Sequence, residues 1–297
     1  MTRAKGKGTA AALLRSEGYS YQELAAIFNQ PESSMRRLVA EAKDKGVKPS
    51  GKPTLLWIPD TQCAPGQNLE HLKWAGQYAA ERKPDHIIWA GDNHDMPSLS
   101  GYEAKGSKFF EGRRYMEDIA AGNRGVELLS EGLDGYEPPK GKDFLLGNHE
   151  QRIERAIMAD PRLDGAIGYH HFNYSEHGWN VHPFLQPIEI GGVYFSHYFY
   201  NLNTGRAFSG AVETMLRNIG HSFCAGHQQG LRWGRREINN GTAQIGLVAG
   251  SYYQEPQTYR GLQGTHEWCG LVYMFELENG QYDPMMVSLN YLRRRYG

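Results

Sequence analysis

Residues 87–95 read Ile87-Ile88-Trp89-Ala90-Gly91-Asp92-Asn93-His94-Asp95, an apolar run that stops abruptly at a glycine and a carboxylate. An uninterrupted apolar run of that length suits a strand buried on both faces, as in parallel sheets covered by helices. The same plan recurs four more times. Leu55, Leu56, Trp57 and Ile58 run into Asp60 and Gln62, and Phe144, Leu145 and Leu146 run through Gly147 into Asn148 and His149. Residues 193–195 end at His197, and residues 223–225 run through Gly226 into His227. Each run thus ends in a residue able to bind a metal or move a proton. In open α/β sheets, ligands bind beyond the carboxyl ends of the strands, so the recurrence predicts one convergent site.

Working outward, amphipathic stretches over 69–81 and 151–158 predict helices between these strands. Beyond residue 230 the glycines Gly241, Gly246, Gly250, Gly261 and Gly264, with an aromatic fraction of 12%, predict a second sheet that closes a sandwich. The expected fold class is therefore α/β, a two-sheet sandwich flanked by helices, with a small N-terminal helical domain.

That N-terminal part reads as three short helices over 9–16, 21–29 and 32–43, with Ser20 as an N-cap and Pro31 opening the third. Leu24, Ala25 and Phe28, then Met35, Leu38 and Val39, recur at helical spacing and give each helix one buried face. Residues 17–40 look like a helix-turn-helix in which 21–29 supports and 33–40 recognises, placing Arg36 and Arg37 toward DNA. A small helical bundle that docks or mediates assembly is the alternative. Charge sides with DNA: residues 1–52 carry 10 Lys/Arg and 5 Asp/Glu, a net +5, and the remainder is −6. The domain plan is 1–46 helix-turn-helix-like, 47–53 linker and 54–297 catalytic domain.

Composition narrows the class. With 297 residues, 40% hydrophobic and 22% charged, the chain is neither fibrous nor disordered overall. Cys63, Cys224 and Cys269 are too few and too scattered for a disulfide framework or a thiolate zinc site, which fits a reducing compartment. The apolar run at 10–14 is too short for a signal-peptide core, and no run reaches the ~18 residues of a membrane span. A cytoplasmic protein with no membrane partner is expected, in the host cytoplasm if phage-encoded.

The strand-end residues resemble a known family, the calcineurin-like metallophosphoesterases, and look closest to its bacteriophage-encoded members. Its motifs run Asp-x-His, Gly-Asp-x-x-Asp, Gly-Asn-His-Glu/Asp, a later His, and Gly-His-x-His. Here they are Asp60-Thr61-Gln62, Gly91-Asp92-Asn93-His94-Asp95, Gly147-Asn148-His149-Glu150, His197 and Gly226-His227-Gln228-Gln229, in order over roughly residues 54–250. The resemblance implies a two-metal site. Asp92 would bridge the ions, Asn148, His197 and His227 would complete one site, and Asp60, Gln62 and Gln229 the other. His149 would stand beside the substrate phosphate as a catalytic group, together with the bridging Asp92.

Two glutamines replace the usual histidines, both on one metal. An amide carbonyl is a hard neutral ligand, so that side becomes all oxygen; Mn²⁺ or Mg²⁺ is expected, with Fe or Zn possible only on the histidine side. Such ions offset the charge of an anionic ester and generate a nucleophile at neutral pH.

Other residues take supporting roles. Asp95 and Glu150 are expected to orient a histidine or a loop. His94 is a candidate to reach a substrate oxygen. In the insertion over 96–115, Arg113 and Arg114 are candidates to clamp a phosphate, and Tyr102, Phe109 or Phe110 to stack on a base. His170, His171, His177 and His182 read as structural or surface residues, and Arg293, Arg294 and Arg295 as a solvated tail. The function expected is hydrolysis of phosphate esters, foremost as a phosphodiesterase or nuclease on nucleic acid. A phosphomonoesterase acting on nucleotide or protein, or a DNA-binding scaffold with a degenerate site, are the alternatives.

Overall fold

The computed structural model describes residues 15, 20–44, 52–101, 107–255 and 267–297. The helix expected over 9–16, most of the linker, Tyr102, the Phe109 side chain, Gly261 and Gly264 lie outside the described residues. The chain divides into two compact units, Met1–Gly51 and Lys52–Gly297.

In the first unit, α1 (Tyr21–Phe28) and α2 (Glu32–Asp44) are joined by a three-residue turn. Ser20 opens α1 with a reciprocal capping box: its hydroxyl accepts from the Glu23 N–H at 3.2 Å, and the Glu23 carboxylate accepts from the Ser20 N–H at 2.6 Å. Asn29 closes α1 in the left-handed conformation with φ 47°. Leu24, Met35 and Val39 form the miniature core, with Tyr21, Ala25 and Leu38 against it. Arg36 is exposed, with its guanidinium paired to Glu32 at 2.6 Å and lying over the Tyr21 ring at 4.5 Å. Arg37 is exposed.

The second unit is a sandwich of two mixed sheets. The first holds β1 (Leu55–Ile58), β2 (His86–Trp89), β3 (Lys142–Leu145), β4 (Asn180–His182), β10 (Gly270–Glu278) and β11 (Gln281–Ser288), in the order β11-β10-β1-β2-β3-β4. Strands β1 to β4 run parallel, and β10 adds antiparallel to β1. The second sheet holds β5 (Ile188–Ile190), β6 (Val193–Ser196), β7 (Ser222–Ala225), β8 (Leu231–Glu237) and β9 (Ala243–Ala249), ordered β5-β6-β7-β9-β8.

Alternate residues explain the continuous apolar runs. Leu56 and Ile58 of β1 face the helices, whereas Leu55 and Trp57 face the other sheet and pack with Phe195, Cys224, Leu247 and Met274. Trp57 anchors the two layers, its ring 5.9 Å from Phe195 and its indole N–H bonded to the Ala249 carbonyl at 3.1 Å. Helices α3 (Glu70–Arg82), α4 (Tyr115–Leu133) and α7 (Leu289–Tyr296) cover the first sheet, and α6 (Val212–Ile219) covers the second. A short helix, α5 (Arg152–Ala159), follows β3.

The strands after residue 230 divide between the sheets: β8 and β9 complete the second sheet, as expected, while β10 and β11 extend that of β1. The five strands expected to end in ligands are consequently split, three in one sheet and two in the other. The C-terminal arginines Arg293, Arg294 and Arg295 are exposed, as expected of solvated residues, but belong to a helix. Leu289 and Leu292 bury one face of α7, and Arg295 is paired with Glu81.

The core also contains a titratable group. His71 on α3 is buried against the Tyr252 ring at 5.2 Å, and among the described residues neither ring nitrogen has a hydrogen-bond partner. Burial pushes it down to about 3, outweighing the nearby backbone of Tyr252 and Asn68. With its folded pKa below the unfolded value, His71 costs nothing above pH 6.5. As pH falls from 6.5 toward 3 the unfolded chain binds the extra proton, and stability drops by about 1.4 kcal/mol per unit. His71→Leu should flatten the fall in urea-unfolding free energy between pH 7 and pH 5 by roughly that slope. An unchanged slope would show that His71 is protonated in the fold.

Candidate metal centre

The carboxyl ends of β1, β2, β3, β6 and β7 meet at one edge of the sandwich. Main-chain bonds lock the first two loops side by side: Gln62 N–H donates to Asp92 O and Cys63 N–H to Asn93 O, both at 2.7 Å. The Gly226 N–H donates to His197 O at 3.0 Å and aligns the two loops of the other sheet. Gln62, Asp92 and His227 adopt left-handed backbone, with φ of 47°, 50° and 60°. Such conformations cost about 1–2 kcal/mol for residues other than glycine, so the neighbouring structure must impose them. Space is equally restricted at the glycines. A Cβ on Gly147 would lie 2.1 Å from Asp92 Oδ1, and one on Gly91, itself at φ 97°, would lie 2.3 Å from the Leu145 carbonyl.

Asp92, His197 and His227 converge, each offering a ligand atom within 4.8 Å of the others. His197 donates from Nδ1 to the Ala90 carbonyl at 2.7 Å, which crosses from one sheet to the other and leaves the Nε2 lone pair facing inward. That Nε2 lies 2.9 Å from Asn148 Oδ1 and 3.4 Å from Asp92 Oδ2. A carboxylate, an amide oxygen and two imidazoles form a donor set that fits a divalent first-row metal ion.

Asp60 stands beside them, both its oxygens accepting from the His227 N–H at 2.9 and 3.1 Å. Gln62 and Gln229 also come together, Gln229 Nε2 lying 3.4 Å from Gln62 Oε1, while the Tyr253 hydroxyl donates to Gln229 Oε1 at 2.6 Å. Of the residues expected to hold metal, Asp92, His197 and His227 converge, with Asn148 against His197 and Asp60 against the His227 main chain, while Gln62 and Gln229 pair with each other.

Electrostatics favour a cation here. Burial, reinforced by Asp92, raises the Asp60 carboxyl to about 8, with His197 opposing. Burial and Asp92 likewise raise Glu150 to about 7. For Asp92, burial is overcome by His149 and His197, which hold its carboxyl well below the usual range. Burial lowers His197, but Asp92 outweighs it and brings the imidazole up to about 9. Burial and the charge of Asp92 both disfavour ionised Asp60 and Glu150, a penalty that positive charge at the cluster would relieve.

His149 is set beside the cluster. Its N–H donates to Asp92 Oδ1 at 2.9 Å, its Nδ1 donates to Asp95 Oδ1 at 2.6 Å, and its Nε2 lies 3.7 Å from Asp92 Oδ2. Asp95 thus orients a histidine, as expected. Glu150 instead holds main chain, its carboxylate accepting N–H groups of Asp92, His94 and Gly147, each at 2.9 Å.

Three other expectations change. His94 does not reach substrate: it is wholly buried, bonded to Tyr174 at 2.8 Å and Asn123 at 3.2 Å, and stacked on Phe172 at 4.1 Å. Arg113 is folded onto its own loop, donating to the Pro97 carbonyl at 2.9 Å and lying over Phe110 at 5.4 Å. Arg114, in turn, donates to the Arg113 carbonyl at 2.9 Å. These contacts tie both guanidinium groups to the insertion's own main chain. Of the histidine cluster, His171 bonds the Tyr115 hydroxyl at 2.8 Å and His182 bonds Asp143 at 2.6 Å, both structural pairings.

Sequence reasoning missed three neighbours. Arg152 donates from Nη2 to His149 Nε2 at 3.2 Å, Tyr198 packs against His227 at 4.6 Å, and Tyr253 holds Gln229. Arg152 follows the Gly147-Asn148-His149-Glu150 motif by two positions and Tyr198 follows His197 directly, so adjacency was the available signal. Tyr253 has no such marker.

Fold and site together define an α/β sandwich with a buried Asp–His–His–Asn cluster at the strand ends. No protein-family model matches the chain, and no curated protein matches it.

Proposed function

We propose that this chain is a metal-dependent phosphoesterase of the calcineurin-like type, acting foremost as a phosphodiesterase or nuclease on nucleic acid. The observation that carries it is the convergence of Asp92, His197 and His227 within 4.8 Å, with His149 held alongside.

Asp92, Asn148, His197 and His227 would hold one ion, and Asp60, Gln62 and Gln229, sharing Asp92, a second; Mn²⁺ or Mg²⁺ suits the oxygen-rich side, and Fe or Zn only the histidine side. When bound, such ions neutralise the anionic ester and supply a nucleophile at neutral pH. The chain's own residues do the rest. Asp95 fixes the His149 ring by taking its Nδ1 proton in a 2.6 Å bond, so that Nε2 faces the cluster. From there His149, once protonated at Nε2 in place of the Arg152 contact, would stabilise the phosphoryl group or deliver that proton to the leaving oxygen. Glu150 keeps the Asp92, His94 and Gly147 backbone in register, so that ligand and acid sit at a constant separation.

The first unit supports the nucleic-acid reading through its two-helix hairpin and its net charge of +5 over residues 1–52. Arg37, with Arg36 once released from Glu32, would contact phosphates.

A metal-dependent panel tests both parts: bis-p-nitrophenyl phosphate, p-nitrophenyl phosphate, and single- and double-stranded DNA, with the full chain and with a chain starting at residue 47. Diester turnover, lost by a factor of about 10²–10⁴ in His149→Ala, is expected. DNA affinity should fall on truncation while small-diester turnover persists. Turnover of the monoester alone would move the substrate class to phosphomonoesters. Absence of turnover with every metal would leave the DNA-binding scaffold.

A further inference from the structure

Arg152 opens α5 with its side chain buried. Its Nη1 donates to two main-chain carbonyls, Asp95 O at 2.7 Å and Met96 O at 3.1 Å, and its Nη2 donates to His149 Nε2 at 3.2 Å. Among the described residues, no carboxylate pairs with it directly. Carbonyl oxygens satisfy hydrogen bonding but carry only partial charge, and a buried guanidinium normally rests against a full negative charge.

Position adds to this. The group that Arg152 touches, His149 Nε2, is itself 3.7 Å from Asp92 Oδ2, so the guanidinium lies one side chain away from the metal cluster. A guanidinium has five N–H donors in a rigid fork. Three are used here, leaving one on Nη2 and one on Nε for a further acceptor. The two carbonyl contacts fix the plane of the fork, so a ligand would meet it already oriented.

We propose that Arg152 is the residue that receives a non-bridging oxygen of the substrate's phosphoryl group, gripping it from the His149 side of the cluster. The ligand class is a tetrahedral oxyanion. The assignment rests on the phosphoesterase reading for its substrate, but the anion site is testable without turnover.

The test is calorimetric titration of orthophosphate into the full-length, Mn²⁺-loaded protein, for the native chain, Arg152→Ala, Arg152→Lys and the exposed control Arg155→Ala, with Mn²⁺ titrations of each and thermal melts as a check on folding. Arg152→Ala should weaken phosphate at least ~10-fold, with Arg152→Lys intermediate because the charge survives and the fork does not; Mn²⁺ binding should be unchanged, and Arg155→Ala should behave as the native chain. If Arg152→Ala does not fold, Arg152→Lys decides the matter. Native phosphate affinity in a folded Arg152→Ala, or in Arg152→Lys where only that variant folds, overturns the proposal. So does equal loss of phosphate and Mn²⁺, the mark of a loop tie. Arg152-dependent phosphate binding without turnover of any ester would keep the anion site and sink the phosphoesterase reading.

Discussion

Asp92→Asn is expected to abolish tight Mn²⁺ binding and to slow phosphoester hydrolysis by at least ~10³-fold, a barrier increase of about 4 kcal/mol. Asparagine keeps the shape of the side chain, and its Oδ1 can still accept the His149 N–H that Asp92 accepts at 2.9 Å. What disappears is the charge at Oδ2, 3.4 Å from His197 Nε2 and 3.7 Å from His149 Nε2. Asp92 is the carboxylate shared by the whole cluster, so its loss leaves only the neutral Asn148, His197 and His227 on the histidine side and Asp60 as the single carboxylate on the other. Calorimetric Mn²⁺ titration and diester turnover, measured on the same preparation, check both effects. A variant that binds Mn²⁺ like the native chain would remove Asp92 from the centre.

Glu150→Ala should cost stability as well as activity. Its carboxylate takes three buried N–H groups, from Asp92, His94 and Gly147, and alanine leaves all three without an acceptor. At about 1–3 kcal/mol for each unsatisfied donor, with partial relaxation, the loss is roughly 3–5 kcal/mol. For a unit of this size that lowers the melting temperature by on the order of 10 °C. Burial and Asp92 raise this carboxyl to about 7, so the comparison belongs at pH 8, where it is ionised. Glu150→Gln should fall between, since one carboxylate oxygen becomes an amide that faces an N–H donor. A melting temperature for Glu150→Ala equal to that of the native chain would show that water replaces the carboxylate.

The apolar runs were legible because four of the five strands are buried on both faces, Tyr194 of β6 being the exposed exception, and such strands have no polar alternation to disguise them. Leu55 and Trp57 need one apolar environment, Leu56 and Ile58 another, and the run Leu55-Leu56-Trp57-Ile58 records both. The ligand residues were legible for a related reason: a polar residue that ends a buried strand has few structural explanations. Gly147 was readable only as part of a motif. That it must be glycine follows from the Asp92 carboxylate 2.1 Å from where a Cβ would sit, a contact across more than fifty residues of chain.

By itself, then, the sequence determined five of the eleven described strands, their ends, two of the helices between them and the residue types at the site, because these follow from local periodicity and from where polarity interrupts it. Tertiary structure alone decided how the strands divide between two sheets, since β10 joins β1 across more than two hundred residues and no local pattern encodes that choice. It also decided which polar residues face the cluster. His94 is adjacent in sequence to the Asp92 motif yet turns into the core against Phe172, whereas Arg152 and Tyr253, unremarkable in sequence, are brought to His149 and Gln229 by packing.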